Sequence, residues 1–202
     1  MVNSSMVLTW AIYGGLMDTI FGIPAHPLFV HLPVVLIPLA AVGVIVMVMR
    51  ASWWERYKWL TLVVAGIGMV GAIIAAGTGE ELEEAVENTA PRQLLRAHVE
   101  AGEVSRTVSI VFFGVLAAAI VVLPWWTRRR SNATSAGAMG ATTDASLPKW
   151  LRRIVSLVLV VTALGASWTV YDAGHTGAKS VWSDVKIGAG GEDHERGGDH
   201  DD

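Results

Sequence analysis

Four long stretches of the chain are apolar and almost free of charged residues, and they constrain its fold more than any other feature. They cover residues 27–49, 59–77, 106–124 and 150–171. An α-helix of about 20 apolar residues crosses the ~30 Å hydrocarbon core of a bilayer, so each stretch is long enough to span it. We therefore predict an all-α integral membrane protein, a four-helix bundle, rather than a soluble domain with buried helices.

The charges between these stretches predict an orientation. The two connections on one side, residues 50–58 and 125–153, contain nine basic and two acidic residues, a net charge of +7. The other side has the remaining six basic and sixteen acidic residues, a net charge of −10. Lys and Arg are enriched in cytoplasmic loops, so we expect the basic connections in the cytoplasm and both termini outside.

Three regions follow from composition. Residues 1–23 contain Asp18 and paired glycines, and we expect a short interfacial helix there rather than a fifth span. Residues 24–182 form the transmembrane domain, with a small, polar cytoplasmic linker at 128–148. Residues 183–202 are Gly-rich and acidic, which is typical of a disordered tail, and the histidines in it are expected to be solvated.

Several kinds of site are excluded by the residues that the chain lacks or misplaces. It has no cysteine, which excludes disulfides, thiolate metal sites, iron–sulfur clusters and covalently attached haem. The segment GIGMVG at 66–71 matches a dinucleotide-binding pattern, but it lies inside an apolar span. We interpret it, with Gly68, Ala72 and Ala76, as a smooth face for helix packing, and a slot for a flat cofactor is the alternative. We find no internal repeat and expect no nucleic-acid partner.

Four histidines are predicted at the outer ends of the helices. His26 precedes Pro27 and is expected to be extended, just outside the first helix. His31 lies one turn inside that helix, His98 lies on a helix that could continue into the third span, and His175 follows the fourth span. A single interfacial histidine is usually only a hydrogen-bonded side chain. Four in one layer indicate a site for haem iron, copper, zinc or proton relay.

The chain also resembles a known family at these histidines. The segments HPLFVHLPVVLIP, AAGTGEEL, RAHVEAGE and YDAGHTGAKSVW are similar to the signature regions of a bacterial membrane family, domain of unknown function 2231. The resemblance covers residues 24–182 and points to His26, His31, His98 and His175. Members are similar to membrane haem proteins in the positions of their histidines, and some are fused to cytochrome c domains. The resemblance therefore implies a redox function in the bacterial inner membrane.

The leading hypothesis is therefore a non-covalent b-type haem protein for electron transfer. Residues five apart on a helix point about 140° away from each other, so the two axial ligands should come from different helices. We expect His31 to pair with His98 or His175, and His26 to be a gatekeeper or a ligand of a second centre.

Other side chains are assigned supporting roles. Arg96 and Lys179 are candidate partners of the haem propionates. Glu80, Asp172 and the Phe29 carbonyl, which lacks a helical donor because residue 33 is proline, are candidate partners of the imidazoles.

Two other functions stay open from the sequence. One is an outer-face Cu or Zn site for metal sensing or transport, and the other is a non-catalytic subunit of a respiratory complex. The chain is expected to be a redox carrier or a subunit rather than a stand-alone enzyme. Expected partners are the lipid bilayer and a cytochrome or respiratory complex, with self-association left open.

Overall fold

The computed structural model describes residues 19–20, 23–86, 92–122, 124 and 148–182, without the side chains of 19–24 and 80–86. Two strands of two residues, β1 (Thr19–Ile20) and β2 (Ile23–Pro24), pair in antiparallel fashion. Four long helices follow: α1 (Ala25–Met49), α2 (Ala51–Val86), α3 (Arg92–Ala117) and α4 (Lys149–Trp182). A π-helical turn, Ala118–Val122, extends α3.

All four helices are long and apolar enough to cross a membrane, so the prediction of a helical membrane bundle is confirmed. The expected interfacial helix at 1–23 lies mostly outside the described residues, and its described part is in the short strands. The linker at 128–148, apart from the non-helical Pro148, and the tail at 183–202, where His194 and His200 lie, also fall outside the described residues.

The helices form a ring in chain order. The closest packing is within two hairpins, α1 with α2 and α3 with α4, and the contacts of α1 with α4 and of α2 with α3 close the ring. The starts of α1 and α3 meet the ends of α2 and α4, and we call this the histidine end. The opposite end, which we call the basic end, contains six described basic residues: Arg50, Arg56, Lys58, Lys149, Arg152 and Arg153.

Glycines allow α2 to lie close against α1. A Cβ at Gly68 would stand 2.9 Å from Ile37 Cδ1, and a Cβ at Gly71 would stand 2.5 Å from Leu32 Cβ. Both distances are shorter than real Cβ contacts, so a larger residue would force Ile37 to shift at Gly68 and would force the helices apart at Gly71. The smooth face predicted on this helix is therefore used for helix packing, and at Gly68 the first helix occupies the place of the alternative cofactor slot.

Two predicted helix boundaries are wrong. His26 is not an extended residue outside the first helix, because α1 begins at Ala25 and contains Pro27 in its first turn, where proline is tolerated. His175 does not follow the fourth helix, because α4 continues to Trp182. Hydropathy identifies the part of a helix that lies in lipid, while the backbone hydrogen bonds continue beyond it. The expected continuous helix from His98 into the third span is confirmed.

Candidate functional site: a histidine pair at one end of the bundle

Two histidines from opposite sides of the ring meet at the histidine end. His26, in the first turn of α1, and His98, in the second turn of α3, have ring centroids 5.9 Å apart and ring planes inclined by 80°. Both side chains are half-buried. The bundle therefore brings together two imidazoles from helices that are not neighbours in the ring.

A backbone carbonyl holds each ring in the same way. His26 Nδ1 lies 2.8 Å from the carbonyl oxygen of Ala75 on α2, and His98 Nδ1 lies 3.0 Å from the carbonyl oxygen of Ala173 on α4. A carbonyl oxygen only accepts hydrogen bonds, so each Nδ1 must be the donor. In the neutral form each imidazole then has its unshared electron pair on Nε2.

Each ring also lies against a glycine. A Cβ at Gly79 would stand 3.1 Å from His26 Cε1, and a Cβ at Gly177 would stand 2.8 Å from His98 Cε1. Any larger residue would push against the imidazole that hydrogen-bonds the carbonyl four residues earlier. The glycines therefore make these two carbonyls accessible to the histidines.

The face of α3 below His98 leads into the core. A Cβ at Gly102 would meet no atom within 4 Å, so there is open space one turn below the imidazole. Ser109, two turns further in, is fully buried, and its hydroxyl has no hydrogen-bond partner among the described residues. Because a buried hydroxyl without a partner is unfavourable, this face has both room and an unused polar group.

His31 does not join the pair. Its side chain is exposed, and its Nδ1 donates to the Pro27 carbonyl of its own helix at 2.6 Å. Among the ring contacts of the described residues, none joins His31 to another histidine. The histidine of α1 that meets His98 is therefore His26, not His31 as expected, although the pair does come from different helices.

His175 faces outward on α4. Its exposed ring stacks on Tyr171, with centroids 5.9 Å apart and planes inclined by 7°. The ring of Tyr171 in turn lies beside the ring of Trp168, with centroids 5.8 Å apart. All three side chains are exposed, so they form an aromatic row on the outer surface of α4, away from the histidine pair.

The predicted supporting residues are only partly described. Arg96 and Lys179 are exposed at the histidine end, where they are accessible to an anionic group. Asp172 is exposed, and Glu80 belongs to α2 but its side chain is not described. The partners of the paired imidazoles are the Ala75 and Ala173 carbonyls, which sequence reasoning missed because any residue supplies a carbonyl.

The described residues contain no group of three or more His, Asp or Glu placed to bind a metal ion. Comparisons with curated proteins and with solved structures find no match to this chain. A family model does match residues 22–188, and it is described as "Predicted membrane protein (DUF2231)". The match includes all four helices and both paired histidines, and the chain therefore belongs to this family of predicted membrane proteins.

Proposed function

We propose that this protein binds one b-type haem at the histidine end, with His26 and His98 as the axial ligands, and that it transfers electrons. The observation that carries the proposal is the pair of imidazoles from α1 and α3, each held through Nδ1 on a carbonyl, which leaves the lone pair of the neutral ring on Nε2. Histidines that bind metals almost always donate their other ring N–H to a carbonyl or carboxylate.

The spacing of the rings supports one shared metal ion. With metal–nitrogen distances of ~2 Å, two imidazoles on one ion have ring centroids about 5 Å apart at a tetrahedral angle and about 6.3 Å apart on opposite sides of the ion. The centroids of His26 and His98 are 5.9 Å apart. This distance lies between those two values and is compatible with a single shared ion.

Several groups near the histidine pair could take part in holding a haem. Haem needs room beside its ligands, and a Cβ added at Gly102 would meet no described atom within 4 Å. The buried hydroxyl of Ser109 offers a hydrogen bond that nothing in the described part of the chain uses. Arg96 and Lys179 are the cations that we assign to the propionates. A bound haem would supply one-electron chemistry, and the protein would set its potential through the ligands and their hydrogen bonds.

We also propose that the histidine end faces outward across the bacterial inner membrane. The support is the net charge of +7 on the connections at the basic end. Since α1 is 25 residues long, its two ends are about 37 Å apart, and the histidine pair lies close to the outer surface. A cytochrome or a respiratory complex subunit could then exchange electrons with the haem there.

The proposal is tested by absorption spectroscopy of the purified full-length protein. We expect a Soret band with the sharp α and β bands of a reduced low-spin bis-imidazole haem. His26→Ala and His98→Ala should each abolish the low-spin spectrum. His31→Ala and His175→Ala are the matched controls and should keep it, because neither ring contacts the pair. Loss of the spectrum in His31→Ala, with His26→Ala normal, would contradict this assignment.

The second candidate is a copper or zinc ion bound directly by the same two histidines. The distance between the two rings is equally compatible with a bare ion. A bare ion also needs no room for a porphyrin. Elemental analysis separates the two candidates. Protein without a Soret band after haem supplementation, but with about one equivalent of copper or zinc that His26→Ala and His98→Ala both lose, would replace the haem by the bare metal.

A further inference from the structure

Beyond the pair itself, the two histidines lie in matching surroundings. His26 bonds the carbonyl of Ala75, and Thr78 Oγ1 donates to the same carbonyl at 3.2 Å. Gly79 follows, and its missing side chain leaves room for the ring. We call Ala75, Thr78 and Gly79 the first imidazole seat.

The second hairpin repeats this arrangement. His98 bonds the carbonyl of Ala173, and Thr176 Oγ1 donates to that carbonyl at 3.0 Å. Gly177 follows and lies against the ring. Ala173, Thr176 and Gly177 form the second imidazole seat, in the same order and with the same spacing as the first.

The sequence contains the corresponding segments, AAGTG at 75–79 and AGHTG at 173–177. Each belongs to the second helix of a hairpin whose first helix supplies the histidine. The histidine is 49 residues from its carbonyl partner in the first hairpin and 75 residues in the second. A comparison at a fixed period misses this repeat because the connections within the two hairpins differ in length.

The physical reason for the pattern lies in helix geometry. The carbonyl of residue i points toward residue i+4, so the side chain of residue i+4 covers it. Glycine at that position uncovers the carbonyl, and a ring from the neighbouring helix can then donate to it. The threonine hydroxyl donates to carbonyls of its own helix, including the carbonyl that accepts from the ring.

We infer that the two hairpins repeat one imidazole seat, and that Gly79 and Gly177 are positioning residues that hold His26 and His98 as Nδ1–H tautomers with both Nε2 atoms directed to one ligand. The seats and the tautomers do not depend on the identity of that ligand. The use of the two Nε2 atoms by haem iron rests on the proposed function.

The first test compares glycine substitutions on the same helix. Gly177→Ala should displace His98, because the new Cβ would lie 2.8 Å from Cε1, and Gly79→Ala should disturb His26 less, at 3.1 Å. Gly174→Ala and Gly77→Ala are the matched controls, since a Cβ at either position meets no atom within 4 Å. The readout is the ¹⁵N NMR spectrum of [¹⁵N]histidine-labelled full-length protein in detergent, measured before haem is added.

The expected result is that wild type and both controls show His26 and His98 protonated at Nδ1 and unprotonated at Nε2. Gly177→Ala should lose this state for His98 alone. After haem addition, Gly177→Ala should also show a high-spin, five-coordinate spectrum, while Gly174→Ala stays low-spin. A general fold defect would change the state of His26 as well, whereas displacement of one ring changes His98 alone, and Gly174→Ala controls for the added methyl group.

The second test uses the one polar difference between the two segments. Position 175 is histidine in the second seat, where the first seat has Gly77. If the seats are equivalent, His175→Gly should leave the His98 tautomer and the haem spectrum unchanged. Loss of either would overturn the equivalence.

The outcomes separate this inference from the proposed function. Wild-type protein with Nε2–H tautomers at His26 and His98 would overturn the seats, even if haem binds. Protein with both Nδ1–H tautomers that binds no haem would overturn the proposed function and leave the seats intact. Equal NMR spectra for Gly177→Ala and Gly174→Ala would also overturn the positioning role of Gly177.

Discussion

At the scale of single residues, Ser109 is the described residue whose buried side-chain polar atom has no hydrogen bond to balance its burial. A serine in a helix usually donates to a carbonyl of the preceding turn, as Ser167 does to Ala163 at 2.9 Å. Ser109 is fully buried on the face that leads down from His98, and its hydroxyl has no partner in the described part of the chain. A buried hydroxyl left without a partner costs roughly 1–3 kcal/mol.

Ser109→Ala should therefore raise the free energy of unfolding of the haem-free protein by about 1 kcal/mol, because it removes the unused polar group at nearly constant volume. Ser167→Ala is the control and should lower the free energy of unfolding, since its hydrogen bond is lost. Unfolding titrations in mixed detergent measure both. A lower stability of haem-free Ser109→Ala would mean that the hydroxyl already has a partner, such as a bound water.

At the scale of elements, glycines decide how closely α2 approaches α1. Gly71 faces the Cβ of Leu32, an atom fixed to the backbone, so the contact cannot be relieved by a change of rotamer. Close approach of helices through small residues is a principal source of stability in membrane bundles, because burying apolar side chains between helices in lipid contributes little stability. The approach also places α1 so that His26 reaches the Ala75 carbonyl one turn beyond Gly71.

Gly71→Ala should destabilise the bundle by about 1–3 kcal/mol, the usual cost of overpacking, and should weaken haem retention because α1 is displaced. Gly114→Ala adds the same methyl group to the exposed face of α3, where it meets no atom within 4 Å, and should be neutral or slightly stabilising. Thermal unfolding and the haem-to-protein ratio are the measurements. Equal stability of the two variants would contradict the packing role.

At the scale of the whole molecule, the charge difference between the two ends sets the orientation that we propose. Because the chain has no cysteine, single cysteines introduced at exposed positions report it without interference. Val181→Cys, near the histidine end, should react with an impermeant thiol reagent in intact cells. Ser52→Cys, at the basic end, should react only after lysis. Labelling of Ser52→Cys in intact cells would reverse the orientation and place the histidine pair in the cytoplasm.

The sequence by itself determined the four membrane-spanning helices and the placement of the histidines at one end of the bundle. The first follows from the length of each apolar stretch. The second follows because consecutive spans run in opposite directions, so the starts of the first and third helices lie at the same end as the finishes of the second and fourth. The sequence also predicted that the paired histidines come from different helices, because His26 and His31, five residues apart, would point about 140° away from each other on one helix.

Only the tertiary structure decided which histidines meet. The choice of His26 rather than His31 depends on the rotation of α1 about its axis, and that rotation is fixed by the packing of Ile37 and Leu32 against the glycines of α2. The partners of the two imidazoles are carbonyls, which every residue has and no side-chain pattern reveals. A glycine makes a carbonyl available only when a second helix lies against it, so the site depends on contacts between helices that are far apart in the sequence.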